Sequence, residues 1–221
     1  MNEIMGNSLF FGVMISVAAY EIGVLLKKKF KLAIFNPLLI AIAVIIVILA
    51  ITGVEYDTYN DGAKYLSYLL TPATVCLAVP LYEQLEILKK NLKAILAGIL
   101  AGALTSVTSV LILAILFGLS HEEYVTLLPK SITTAIGMGV SEELGGIVTI
   151  TVAVIIITGV LGNMFAEVVC RIFRIEEPIA KGIGIGSSSH AIGTAKAMEL
   201  GDIEGAMSSL SIAVSGLITV I

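Results

Sequence analysis

The residues that could do chemistry lie in two short polar segments of the chain. The stretch GSSSH (186–190) places three hydroxyls and an imidazole side by side, and PKSITT (129–134) places a lysine among three hydroxyls. An ionisable side chain inside a membrane is costly, and it usually lines a polar cavity. We therefore interpret each segment as part of a binding site for a small polar molecule.

The rest of the chain is too apolar for a water-soluble protein. Of its 221 residues, 57% are hydrophobic and 14% are charged, whereas about a quarter of a soluble domain is charged. The clearest runs of about 20 apolar residues, the length of a membrane span, are Ser8–Leu26, Leu32–Thr52, Ala94–Leu119, Gly146–Cys170 and Glu204–Ile221. The composition predicts an all-α multi-pass protein of the cell membrane, with about seven to eight transmembrane or re-entrant segments.

We expect one integral membrane domain over residues 1–221. Its N-terminal helices occupy residues 1–118 and include a broken segment at 62–88. Its C-terminal part, residues 119–221, contains the polar broken segments 129–145 and 182–202.

The basic residues predict how the chain is oriented, because lysine and arginine concentrate on cytoplasmic loops. Ten of the 13 form three clusters, at 27–31, 89–93 and 171–181, whereas the loops between them are acidic. His121 lies in an acidic loop that we place outside, whereas Arg171 belongs to a basic cluster that should be cytoplasmic. Two full crossings between them would leave Arg171 outside. The conflict disappears if residues 129–142 form a re-entrant or broken helix that protein surrounds.

The two polar segments are also related in sequence. AIGMGVSEELGG (135–146) aligns without gaps on AIGTAKAMELGD (191–202), with six of twelve positions identical. PATVCLAVP (72–80) resembles PKSITTAIG (129–137) more weakly, in its pattern of proline, hydroxyl and small residues. Because the segment at 129 is entered from outside and the one at 182 from the cytoplasm, we predict an inverted-topology repeat. Transporters place substrates between such repeats, near the bilayer midplane and at the ends of broken helices.

Motifs of soluble enzymes are not met. GIGIGS lacks the third glycine of a dinucleotide-binding loop, and GSSSH does not match a nucleophile elbow. Two histidines and two cysteines do not have the spacing of a zinc site. We therefore expect no enzyme, no cofactor, no metal and no nucleic-acid partner.

Three stretches, LLTPATVCLAVPLYEQ, LLPKSITTAIG and GIGSSSHAIGTAKAMELGDIEGAMSSL, resemble the signature segments of the LrgB/CidB family, in order and over essentially the whole chain. The resemblance implies one of two functions. Members have been described as antiholin-like or holin-like regulators of murein hydrolases and cell lysis. Relatives include a plastid glycolate/glycerate carrier, and bacterial pairs are linked to pyruvate uptake. One departure is Ala135, where the family pattern has proline.

The resemblance thus implies a carrier of small monocarboxylates, with a small LrgA/CidA-type membrane partner. A homodimer is the usual state of such transporters. The alternative is a regulator or oligomeric pore component that transports nothing itself. Such a protein needs no buried stereospecific site, and its polar segments would line a multimer interface.

The candidate substrate-binding residues are Lys130, Ser131, Thr133, Thr134, Ser188, Ser189, His190, Thr194, Lys196 and Thr74. In this interpretation Lys130 neutralises a carboxylate, and the hydroxyls bind other oxygens and cap the second half of each broken helix. His190 titrates and couples a proton to transport. The structural alternatives are that the glycines at 182–186 serve only close helix packing, and that the lysines extend to the membrane surface.

Overall fold

A computed structural model describes residues 10–30 and 35–220, which are helical apart from short turns. The parts of the predicted spans at 8–9, 32–34 and 221 lie outside the described residues. The chain forms two compact units, Met1–Cys76 and Leu77–Ile221. Four helical stretches are long and apolar enough to cross a membrane: Tyr56–Glu83, Leu85–Phe117, Val148–Ile172 and Asp202–Val220. The all-α, multi-pass membrane class is confirmed.

The described residues of the first unit form α1 (Phe11–Phe30), α2 (Pro37–Thr52), α3 (Tyr56–Ser67) and α4 (Leu70–Cys76). Its helices pack closely through glycine, since Gly12 lies against the backbone of α3 and Gly23 against that of Pro37. Asn36 caps α2 by accepting hydrogen bonds from the backbone N–H groups of its first turn. Within the segment for which a break was predicted, separate short helices follow one another in place of one long helix.

The second unit contains the two polar segments. Its helices are α5 (Ala78–Glu83), α6 (Leu85–Phe117), α7 (His121–Leu127), α8 (Thr134–Glu143), α9 (Val148–Ile172), α10 (Pro178–Leu200) and α11 (Asp202–Val220). A central apolar cluster joins α6, α10 and α11 through Ile95, Ile99, Ile183 and Met207. Large apolar side chains such as Ile115 and Phe173 are exposed, which suits an outer surface in contact with lipid.

Helices α7 and α8 form a helical hairpin, here called hairpin 1 (residues 121–143). Gly137 of α8 lies beside Pro129 at the turn. Towards the open end, the hydroxyl of Thr151 in α9 bonds both arms. It donates to the carbonyl of Thr126 (2.8 Å) and lies 2.7 Å from the hydroxyl of Ser141. The chain therefore enters and leaves hairpin 1 on the same side.

Helix α10 is also folded back on itself, at His190, and is here called hairpin 2 (residues 178–200). The backbone of His190 has φ 42° and ψ −145°. In a straight helix, residues eight positions apart are about 12 Å apart. A Cβ added at Gly193 would nevertheless lie 3.1 Å from Cγ2 of Ile185. The arms 178–189 and 191–200 therefore lie side by side.

The contacts with α11 show the same reversal. In the first arm, Gly182 faces Met207 and Gly186 faces Ser211, so this arm runs in the direction of α11. The second arm runs against it: the hydroxyl of Thr194 is 2.7 Å from that of Ser208, and Met198 lies on Gly205. Each arm of 10–12 residues is about 15–18 Å long, which is half the thickness of a hydrocarbon core.

The two hairpins start from opposite ends of α9. Hairpin 1 bonds the first turn of α9, where Thr126 accepts from the backbone N–H of Ile147 (2.8 Å). Hairpin 2 packs along the later turns, with Ser189 against Gly162 and Ala197 near Ala166. This arrangement is the one expected if residues 129–142 do not cross the membrane, and it brings the basic cluster at Arg171 to the same end of the second unit as that at Lys90.

The repeat in the sequence corresponds to equivalent positions in the two hairpins. The aligned glycines, Gly137 and Gly193, each lie in the second arm against the residue eight positions earlier, Pro129 or Ile185. The chain turns before Ala135, and α8 begins at Thr134. Residue 135 is not the proline of the family pattern. Proline is therefore not required for this break.

Candidate functional site

The tips of both hairpins contact the middle of α6. The side chain of Ser187 lies directly on Gly102, and the hydroxyl of Ser106 donates to that of Ser131 at 2.9 Å. Residues 102 and 106 are one helical turn, or about 6 Å, apart. Since α6 runs from residue 85 to 117, this turn lies near its centre. The two polar segments of the sequence thus approach one another midway along a membrane-spanning helix.

The same two tips also meet at one turn of α9. The side chain of Ile155 lies against Gly137 in hairpin 1. The backbone carbonyl of Ile155 is 2.9 Å from Nε2 of His190 in hairpin 2, and the imidazole ring packs on Gly159. Because a carbonyl only accepts, Nε2 must carry the hydrogen of this bond. Residues 182–189, predicted to form a break or loop, are helical, and the helix is interrupted at His190.

The lysine of hairpin 1 is held by hydroxyl groups. The amine of Lys130 donates to Ser131 (2.8 Å) and to Ser106 (3.4 Å). Lys130 is half-buried and Ser131 is buried. Within residues 10–30 and 35–220, none of the ion pairs includes Lys130. A cation in this position has no carboxylate among the described residues to neutralise it.

The predicted capping of the second arms by hydroxyls is wrong. Thr133 precedes α8 without a side-chain cap. The hydroxyls of Ser187 and Ser188 donate backwards, to the carbonyls of Ile183 and Gly184 at 2.7 Å. In a helix a serine hydroxyl can reach the carbonyl one turn earlier, and here that bond competes with the cap.

The remaining candidates divide into those near the tips and those away from them. Thr133 and Thr134 are half-buried at the start of α8. Ser189 is buried against α9, and its hydroxyl is 3.0 Å from that of exposed Ser188. Thr194 is fully buried one turn below the tip, where it bonds α11.

Lys196 lies towards the open end of hairpin 2 and is already paired. Its amine is 3.3 Å from a carboxylate oxygen of Glu167 and 3.2 Å from one of Glu199. Two carboxylates leave no net positive charge here for a substrate. The side chain of Thr74 lies outside the described residues, and its backbone belongs to the first unit.

Several residues of the site were not found from the sequence. Ser106 completes the surroundings of Lys130, and Ser215 of α11 is buried near the tips. The sequence contained a signal for Ser106, because Gly98, Gly102 and Ser106 recur at every fourth position of α6. This spacing of small residues lets membrane helices approach closely. Nothing in the sequence distinguishes Ser215 from the other serines of α11.

A cavity of about 530 Å³ leads from one end of the second unit to the tip of hairpin 2. Asn91 and Glu177 lie at its outer end, near the basic clusters, and Gly102 and Ser187 lie at its inner end. Its length follows the first arm of hairpin 2 along α6. The cavity therefore approaches the tip of hairpin 2 from the side that the positive charges assign to the cytoplasm, and its lining ends at Ser187, before His190.

At the opposite end, a capping box begins hairpin 1. The hydroxyl of Ser120 accepts from the backbone N–H of Glu123, and the Glu123 carboxylate accepts from the backbone N–H of Ser120 at 2.7 Å. These hydrogen bonds favour the charged carboxylate, so they hold the pKa of Glu123 below its usual value. This loop is acidic, in agreement with an external location.

His190 has a testable part in pH dependence. Glutamine at this position retains a donor for the Ile155 carbonyl but cannot titrate. If protonation of His190 is coupled to transport, His190→Gln gives uptake that no longer changes between about pH 5 and 8. The measurement is substrate uptake by reconstituted protein across that range. A pH dependence equal to that of the unaltered protein would assign His190 to holding the turn alone.

Comparisons with known proteins identify the family of this chain. A family model described as "LrgB-like family" matches residues 16–221. Proteins named "Antiholin-like protein LrgB" from Bacillus mycoides (strain KBAB4) and Bacillus cereus (strain B4264) are each 39% identical over 213 residues, which cover 96% of this chain and 93% of the relative. A search of the solved structures found none that matches. The match over nearly all of its length makes this chain a member of the LrgB-like family.

Proposed function

We propose that this protein carries small monocarboxylates, of the pyruvate, glycolate or glycerate class, across the membrane. The substrate binds between the tips of the two hairpins. Movement of the hairpins relative to α6 and α9 then exposes the site to one side of the membrane at a time. This mechanism is the one expected for inverted repeats with broken helices.

The observation that carries the proposal is the state of Lys130. Its amine is half-buried near the middle of α6, its partners are two serine hydroxyls, and no carboxylate of the described chain pairs with it. A cation that is removed from water without a counterion is unfavourable. A carboxylate from outside the protein removes that cost, and one lysine matches one negative charge.

The direction of the helices also supports an anionic substrate. The second arms of both hairpins begin at the tips, so both present their positive N-terminal ends near the middle of the unit. Such ends attract negative charge. Ser131 and Thr133 offer hydroxyls to the other oxygens of a 2-oxo or 2-hydroxy acid. The cavity along hairpin 2 provides the route from the cytoplasmic side.

The second candidate function is regulation of murein hydrolase activity and lysis without transport. The name of the relatives, "Antiholin-like protein LrgB", favours it. A regulator of this kind has no need of a free cation at mid-membrane, so we place it second. A small LrgA/CidA-type membrane partner and a homodimer are compatible with either function.

The test uses the purified full-length chain in proteoliposomes without a partner. We expect saturable uptake of at least one labelled acid among pyruvate, glycolate and glycerate, inhibited by the unlabelled acid. Protein-free liposomes provide the control for diffusion. Uptake that is no faster than in that control, from protein shown to be folded, would favour the regulatory function. Uptake that appears only when an LrgA/CidA-type protein is added would make the carrier a two-component one.

A further inference from the structure

Ser215 of α11 has a hydroxyl without a hydrogen-bond partner. The residue is 2% exposed, and its Oγ is the one buried side-chain polar atom of the described residues that lacks such a bond. Buried polar groups are nearly always hydrogen-bonded, since an unsatisfied one loses its interaction with water without replacement. The neighbouring serine Ser211 is satisfied, because it donates to the carbonyl of Met207 at 2.7 Å.

The register of α11 locates this hydroxyl near both hairpin tips. Gly182 faces Met207, and Gly186 faces Ser208 and Ser211, so the first arm of hairpin 2 advances in step with α11. One turn further, His190 is therefore level with residues 212–215. From the other side, the side chain of Ile136 in hairpin 1 reaches Gly216. Ser215 thus lies beside the start of α8 in hairpin 1 and level with the tip of hairpin 2.

We propose that Ser215 is a specificity-determining residue that binds the oxygen on carbon 2 of the substrate. The carboxylate lies at Lys130, and the Ser215 hydroxyl bonds the adjacent oxo or hydroxyl oxygen. The inference rests on the proposed transport function and assigns a second contact within the same site. It gives the buried Ser215 hydroxyl, which has no partner among the described residues, a hydrogen-bond partner.

The chemistry predicts which acids the site distinguishes. Pyruvate and propionate have the same number of carbons and the same charge, but propionate lacks the oxygen on carbon 2. A buried group that hydrogen-bonds a substrate oxygen strongly disfavours an analogue that lacks it, because the group is then left unpaired. The carboxylate contact with Lys130 is common to both acids and gives no discrimination.

The test compares these acids in the unaltered protein, Ser215→Ala and the control Ser211→Ala. The measurement is inhibition of labelled pyruvate uptake by unlabelled pyruvate and by propionate in proteoliposomes. In Ser215→Ala, we expect the affinity for pyruvate to fall about tenfold, with little change for propionate, since one hydrogen bond is lost. Ser211→Ala should retain the preference of the unaltered protein.

Thermal unfolding in detergent provides a second readout. Because Ser215 has no partner in the empty protein, we expect Ser215→Ala to unfold at the same or a higher temperature without ligand. The stabilisation produced by pyruvate should be smaller than in the unaltered protein. A purely structural role would lower the unfolding temperature in the absence of pyruvate.

The two proposals fail in different ways. Saturable uptake with an unchanged ratio of pyruvate to propionate affinity in Ser215→Ala overturns the assignment of Ser215 and leaves the transport function intact. A lower unfolding temperature of empty Ser215→Ala also overturns the assignment. Absence of saturable uptake by the unaltered protein overturns both proposals.

Discussion

Lys130→Met abolishes saturable uptake while the protein still folds and inserts into the membrane. Removal of one partner of a buried charge pair costs about 2–5 kcal/mol of binding free energy, or roughly 30-fold or more in affinity. Because the amine bonds only hydroxyls in the empty protein, its loss should leave folding nearly unaffected. Uptake kinetics and size-exclusion profiles measure the two effects separately.

Lys90→Met is the matched control, since Lys90 is an exposed lysine of the basic cluster in the first turns of α6. It should transport like the unaltered protein. Lys130→Arg should recover part of the activity, although the fork of a guanidinium differs from a point charge. Unchanged substrate affinity in Lys130→Met would show that this lysine does not bind the carboxylate.

Gly186→Ala is expected to disrupt the packing of hairpin 2 on α11. A Cβ at this position would lie 2.8 Å from both Cα of Ser208 and Cβ of Ser211. Since backbone must move to make room, we expect a loss of about 1–3 kcal/mol of folding free energy. The temperature at which the detergent-solubilised protein loses its monodisperse size-exclusion peak measures this loss.

Gly184→Ala makes the same change two residues away in the same arm. No atom lies within 4 Å of a Cβ added at Gly184. Alanine there should be neutral or stabilising by up to about 1 kcal/mol, because it favours helix more than glycine does. Equal unfolding temperatures for the two variants would contradict the close approach of hairpin 2 to α11.

The sequence was sufficient to predict the all-α multi-pass class and to single out the two polar segments, and it favours a re-entrant course for the first of them. The side of the membrane on which each loop lies decides whether an odd or an even number of spans separates two loops. With Arg171 on the cytoplasmic side, we predict that residues 129–142 do not span the membrane. The shared pattern of 135–146 and 191–202 reflects a geometric need: Gly137 and Gly193 each lie where two arms touch. Such constraints are local, and they appear in a single sequence.

Pairings between distant elements could not be predicted in the same way. Lys196 and Lys130 look alike in the sequence, yet Lys196 meets Glu167 from another helix, whereas Lys130 meets Ser106. Ser187 and Ser188 precede the second arm of hairpin 2, but their hydroxyls bond carbonyls one turn earlier instead of capping that arm. Ser215 differs from its neighbours only by the absence of a partner. Each of these features depends on which helices become neighbours.

Counterflow tests the central claim, that one site between the hairpin tips is exposed alternately to the two sides, most directly. Proteoliposomes are loaded with a high concentration of unlabelled pyruvate, or of whichever acid the uptake assay identifies, and are diluted into a trace of labelled acid. A carrier that alternates predicts transient accumulation of label above its equilibrium level, and no accumulation in Lys130→Met. Label that rises only to equilibrium, at the same rate in both proteins, would contradict the account.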